Sequence, residues 1–128
     1  MAPSEAHDRP YMQSRLREEI ARSKRHGRQF GVLVFEELPS ADGLRLRQKL
    51  EYGLKALSAT ARNYDIVGRA YEDTIAVLLI ETDARGMRDA LFRFRSCMSR
   101  QAGTWKVIAY HYPEDAETIE ALPLLSAA

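Results

Sequence analysis

Six successive residues, Ile75 to Ile80, carry no polar side chain, and polar clusters close the run at both ends. A run of that length fits a short interior β-strand better than a helix. Immediately before it lies a polar, acidic turn, Tyr71-Glu72-Asp73-Thr74, and before that the apolar pair Ile66-Val67. Together these residues predict a β-hairpin with acidic groups at its tip.

The rest of the chain alternates helix and strand. Residues 1–10 hold two prolines among small and charged side chains and read as a loose leader, leaving 11–128 as a single domain. From Tyr11 to His26, Met12, Leu16 and Ile20 recur every four residues, which predicts a narrow-striped amphipathic helix ending near Gly27. Phe30 to Phe35, FGVLVF, is a second buried strand, closed by Glu36-Glu37 and the turn residues Pro39-Ser40-Ala41-Asp42-Gly43. Leu46, Leu50, Leu54, Leu57 and Ala61 trace one face of a helix. Asp83 can cap another, with Met87, Leu91, Phe94 and Met98 as its buried stripe. Trp105 to Tyr112 makes a last strand stopped by Pro113, and the tail holds one short helical stretch broken by Pro123. The order predicts an α/β or α+β sandwich: a mixed central sheet with helices packed on its faces, built around a β-α-β-β-α-β core.

Composition narrows the function by exclusion. A chain of 128 residues, 45% of them hydrophobic, has apolar surface for a single core. A formal charge of +1 gives no global attraction to nucleic acid, and the arginines from Arg85 to Arg100 read as a solvated helix face. No apolar run approaches the roughly 20 residues needed to span a bilayer. The N-terminal MAPSEAHDRP has no apolar signal core, so the expected compartment is the cytoplasm. Cys97 has no internal partner and reads as a small buried or half-buried thiol. His7, His26 and His111 lack metal-ligand spacing, so no metal and no cofactor are expected.

Three strings in order resemble the GGDEF family, the domain of diguanylate cyclases, over most of residues 12–115. RLREEIARSKRHGRQFGVLVFE is similar to the family's leading helix, Gly-Arg turn and first strand. RNYDIVGRAYEDTIAVLLIETD is similar to the segment carrying its signature hairpin, and KVIAYHYPED to its final strand and turn. The resemblance implies the nucleotide-cyclase-like fold and a bacterial signal-transduction role.

Against that pattern the catalytic positions are degenerate. Active members carry Gly-Gly-Asp/Glu-Glu-Phe at the tip, whereas this chain has Tyr71-Glu72-Asp73-Thr74-Ile75. Tyr71 and Glu72 add bulk and negative charge where a triphosphate would lie, and Thr74 replaces a metal-binding acid. Strand one in the family ends in two aspartates one residue apart; here the run is Glu36-Glu37-Leu38, in which Glu36 could still hold a cation. The base-wrapping segment is shortened to residues 39–43, and the phosphate-contacting last helix to a proline-interrupted tail. Two-metal phosphoryl chemistry needs all these parts together, so no catalytic residue and no cyclase activity are expected.

Arg62-x-x-Asp65 survives, at the spacing that marks the family's inhibitory site for cyclic di-GMP. A guanidinium offers a planar fork to a guanine edge or phosphate, and a carboxylate accepts from guanine N–H groups. The register puts a further family arginine near Arg93, with Arg88 as the alternative. The resemblance thus implies a catalytically inactive module that binds cyclic di-GMP and passes its occupancy to a protein partner or a second copy. Plainer readings stand beside it: Arg62 and Asp65 as a local ion pair at a helix end, and Glu36, Glu37, Glu72 and Asp73 as a solvated acidic rim. The other function class is an interaction or dimerisation module without a ligand, pairing through the old active face or the Met12-Leu16-Ile20 stripe.

Overall fold

In the computed structural model, which describes residues 6–37, 46–101 and 105–126, the two apolar runs are the central pair of strands in a sheet of order β2-β3-β1-β4. The elements follow in the order α1 (Arg9–His26), β1 (Phe30–Glu37), α2 (Leu46–Thr60), β2 (Asp65–Arg69), β3 (Thr74–Leu79), α3 (Ala84–Gln101), β4 (Trp105–Tyr112), α4 (Ala116–Glu120) and α5 (Pro123–Ser126). The mixed sheet expected from the sequence is instead antiparallel at every ladder. Each helical crossover returns its strand in the original direction but skips a place: β3 inserts between β1 and β2, and β4 lands on the far side of β1. Neighbours therefore oppose one another.

Covering on both faces explains why β1 and β3 lack the alternation of a half-exposed strand. Leu33, Phe35, Val67, Ile75, Val77 and Leu79 meet α2 and α3 through Leu50, Leu54, Leu57, Met87, Phe94 and Met98. Phe30, Val32, Val34, Ala76 and Leu78 meet α1 and the C-terminal helices through Met12, Leu16, Ile20, Ile119, Leu122 and Leu124. Each such side chain taken fully out of water contributes about 1.5–3 kcal/mol. Cys97 is buried in the α3 layer, its thiol donating to the Phe94 carbonyl at 3.2 Å.

The first helix starts earlier than the expected Tyr11. The Asp8 carboxylate accepts the Tyr11 N–H at 3.0 Å, and Pro10 sits in the first turn, where its missing N–H costs nothing. Gly27 ends the helix at φ 67°, its N–H donating to Ser23, with Lys24, Arg25 and His26 on the last turn. Residues just before the helix also belong to the fold: the His7 N–H donates to Val67 and the His7 carbonyl accepts from Arg69, a parallel bridge on the outer edge of β2. Gly68 is required there, since a Cβ would lie 2.6 Å from Met12 and 2.7 Å from the His7 carbonyl. The tail carries two short helices rather than one broken one. Pro123 opens the second, a position that suits its fixed φ, and the Leu124 carbonyl accepts from Gln13 of α1 at 2.8 Å.

Candidate functional site

The turn between α2 and β2 is built by one carboxylate. Asp65 Oδ2 accepts the Arg62 N–H at 2.9 Å, while the Asp65 N–H donates to the Arg62 carbonyl at 2.9 Å. The same Oδ2 accepts from Arg93 Nη2 of α3 at 3.0 Å. The Asp65 side chain is only 9% exposed and that of Arg93 25%, so the pair is held well out of water. The Arg93 guanidinium also lies 4.8 Å from the centroid of the Phe94 ring, and its Nε is buried without a hydrogen-bond partner. Arg62 differs: it is exposed, and its guanidinium has no partner among the described residues.

Arg62, Asp65 and Arg93 line one cleft of about 490 Å³. Its opposite rim carries Arg28, in ion pair with Glu81, followed by Thr82 and Asp83 at the entry to α3. Asp83 caps that helix, accepting the Gly86 N–H at 2.8 Å. Behind the rim, His111 Nε2 lies 2.9 Å from the Thr82 carbonyl, an arrangement that places the proton on Nε2. The cleft thus has a free guanidinium fork, a second guanidinium with an unused buried donor, and carboxylates on both sides. That set suits a planar, anionic ligand with N–H donors.

Arg88 lies elsewhere. Five residues from Arg93, it is about 140° round the helix, beside Leu91, Phe92 and Arg95 in a separate surface depression. The degenerate positions gather at the other end of β3, about 17 Å from the cleft for a strand of this length. There Glu36 stands opposite Thr74 in the ladder. Thr74 is buried; its hydroxyl donates to the Tyr71 carbonyl at 2.6 Å and accepts the Tyr71 N–H at 3.0 Å. Glu72, at φ 47°, and Asp73 are exposed. Glu37 points to the other face of the sheet, 3.5 Å from Lys49. The shortened segment at residues 39–43 lies outside the described residues.

Among the described residues no group of three His, Cys, Asp or Glu side chains is placed to hold a metal ion. No described helix is long and apolar enough to cross a membrane. Sequence reasoning missed Arg28 and Glu81 because nothing local relates the turn after α1 to the end of β3; the sheet order brings them together. It also missed Tyr110, whose phenol stays protonated above the ordinary range because burial, then the Glu36 carboxylate, disfavours its anion.

No family model and no curated protein matches the sequence. Solved structures do match. A DGC protein from Thermotoga maritima superposes with a TM-score of 0.72 at 18% identity, over 86% of this chain and 84% of that one. The GGDEF domain of PA1120 (YfiN or TpbB) from Pseudomonas aeruginosa gives 0.70 at 20% identity, over 94% and 83%. A microbial GGDEF domain described in an interaction with cyclic di-GMP gives 0.65 at 16% identity, over 90% and 80%. With the strand order, crossovers and hairpin all in place, the chain has the fold of a GGDEF domain.

Proposed function

We propose that this chain is a catalytically inactive GGDEF-like signalling module that binds cyclic di-GMP through Arg62, Asp65 and Arg93. The observation that carries the reading is their convergence: a turn after α2, the first residue of β2 and the middle of α3 bring these side chains to one cleft. The Arg62 fork is free to take a guanine O6/N7 edge or a phosphodiester, and Asp65 has a second carboxylate oxygen to accept guanine N–H groups. Arg93 holds Asp65 in place. One structural neighbour described with cyclic di-GMP adds support from the fold.

Loss of catalysis follows from the hairpin. The Thr74 hydroxyl is used twice within its own turn, so it offers neither the charge nor the lone pairs of a metal-binding acid. Leu122 and Leu124 of the C-terminal segment face the same cavity as Glu36 and Tyr71, an apolar lining unsuited to a triphosphate. Incubation with GTP and Mg²⁺ is expected to yield no cyclic dinucleotide; turnover would overturn this part of the reading.

Calorimetry tests the binding. Wild-type protein is expected to give saturable heat with cyclic di-GMP and Arg62→Ala to lose it, whereas silence at high micromolar ligand would sink the receptor reading. A protein partner is the second reading, and Tyr64 and Phe92, each 75% exposed and next in sequence to Asp65 and Arg93, favour it. Pairing through α1 is disfavoured, because Met12, Leu16 and Ile20 are buried within the domain itself.

A further inference from the structure

A second cavity, of about 220 Å³, lies between the sheet and α5 at the hairpin end of the molecule. Its walls are apolar: Val32, Val34 and Ala76 from the strands, Leu122 and Leu124 from the C-terminal segment. Three polar side chains stand around it, Glu36, Tyr71 and Tyr110. Among the described residues neither the Glu36 carboxylate nor either phenol has a hydrogen-bond or ion-pair partner. Lys106, opposite Glu36 in the β1–β4 ladder, is exposed and forms no ion pair with it. Among the described residues the half-buried Glu36 carboxylate thus forms no ion pair, and it stands in a largely apolar wall, where a charge gains from a cation brought to it.

A carboxylate in this setting attracts a cation. Tyr71 and Tyr110 line the same cavity as Glu36, and aromatic faces attract ammonium groups through their quadrupole. We propose that this cavity binds a small organic ammonium ion, its apolar body between α5 and the sheet and its charged head at Glu36 between Tyr71 and Tyr110. The volume sets the size, since about 150 Å³ suffices for a benzene ring; a single ring with a short aminoalkyl chain fits. An anion is excluded by Glu36. Because the cavity lies at the far end of β3 from Arg62, the assignment does not depend on cyclic di-GMP binding.

The probes are 2-phenylethylammonium, its neutral counterpart 2-phenylethanol, and phenylacetate, titrated into the nucleotide-free chain by NMR. The expected result is saturable shifts confined to Tyr71, Tyr110 and Leu124, with the ammonium bound at least about tenfold more tightly than the alcohol and the acid not bound. Glu36→Gln, nearly isosteric and half exposed, should erase the difference between ammonium and alcohol while leaving the alcohol's affinity unchanged. Tyr110→Leu should weaken the ammonium selectively. No saturable binding at millimolar ammonium, equal affinity for ammonium and alcohol, or indifference to Glu36→Gln would each overturn the proposal. None of these outcomes bears on Arg62, so the two sites fail or stand separately.

Discussion

Replacing Arg93 by methionine separates the part of the cleft that is structural from the part left for a ligand. Methionine keeps much of the apolar stem along α3 and deletes the guanidinium. Asp65 then loses its 3.0 Å charge-assisted bond and retains the Arg62 N–H. Such a bond contributes about 1.5–3 kcal/mol, and the ring contact with Phe94 adds about 0.5 kcal/mol. Breaking a fully buried pair costs about 3–5 kcal/mol, but Arg93 is a quarter exposed, and solvent screening lowers that figure. The expected loss is about 2 kcal/mol, equivalent to about 8 °C in Tm for a domain of this size. Arg62→Ala, by contrast, removes a guanidinium with no described partner and should shift stability by less than about 0.5 kcal/mol. Urea denaturation followed by circular dichroism, at matched ionic strength, measures both. An Arg93→Met variant as stable as wild type, or an Arg62→Ala variant as damaged as Arg93→Met, would refute this division between a structural and a ligand-facing arginine.

Three further outcomes are expected. Leu57→Ala, at a fully buried position between α2 and the sheet, should cost about 2–5 kcal/mol in the same denaturation assay. Gly68→Ala forces a Cβ against Met12 and the His7 carbonyl and should cost about 1–3 kcal/mol, with amide exchange at Arg69 accelerating as the His7 bridge opens. Tyr110 has a raised pKa in the folded chain, so its contribution is intact below the ordinary tyrosine value of 10.0 and is lost as pH climbs through the higher folded value. Glu36→Gln removes the second of the causes and leaves burial, the largest, so NMR titration should find the Tyr110 midpoint lowered but still above 10.0.

The strands were legible because they are covered on both faces: FGVLVF and IAVLLI admit no other placement in a chain with so few apolar runs. The helix stripes were legible for the same reason, Leu50, Leu54 and Leu57 on α2 and Met87, Phe94 and Met98 on α3 all proving buried. Strand direction was not, because it depends on where β3 inserts, and side-chain pattern is blind to that. Nor did periodicity settle Arg93 against Arg88, since both lie off the buried stripe and the position of the α2–β2 turn decides between them. The first helix starts at Arg9 rather than Tyr11, because Asp8 caps it and Pro10 suits its first turn. In the tail, Pro123 opens a second short helix instead of breaking the first. Arg28, Glu81 and Tyr110 carry no local signal, because each reaches its site through a ladder between strands distant in sequence.

The central question is whether the cleft of Arg62, Asp65 and Arg93 takes a cyclic dinucleotide. Calorimetric titration of cyclic di-GMP into the wild-type chain and into the stability-neutral Arg62→Ala variant tests that most directly. The prediction is a saturable isotherm for wild type and at least about tenfold weaker binding for the variant, as expected when a charged, bidentate contact is removed. A flat trace for wild type at high micromolar ligand, or equal affinities for the two proteins, would contradict it.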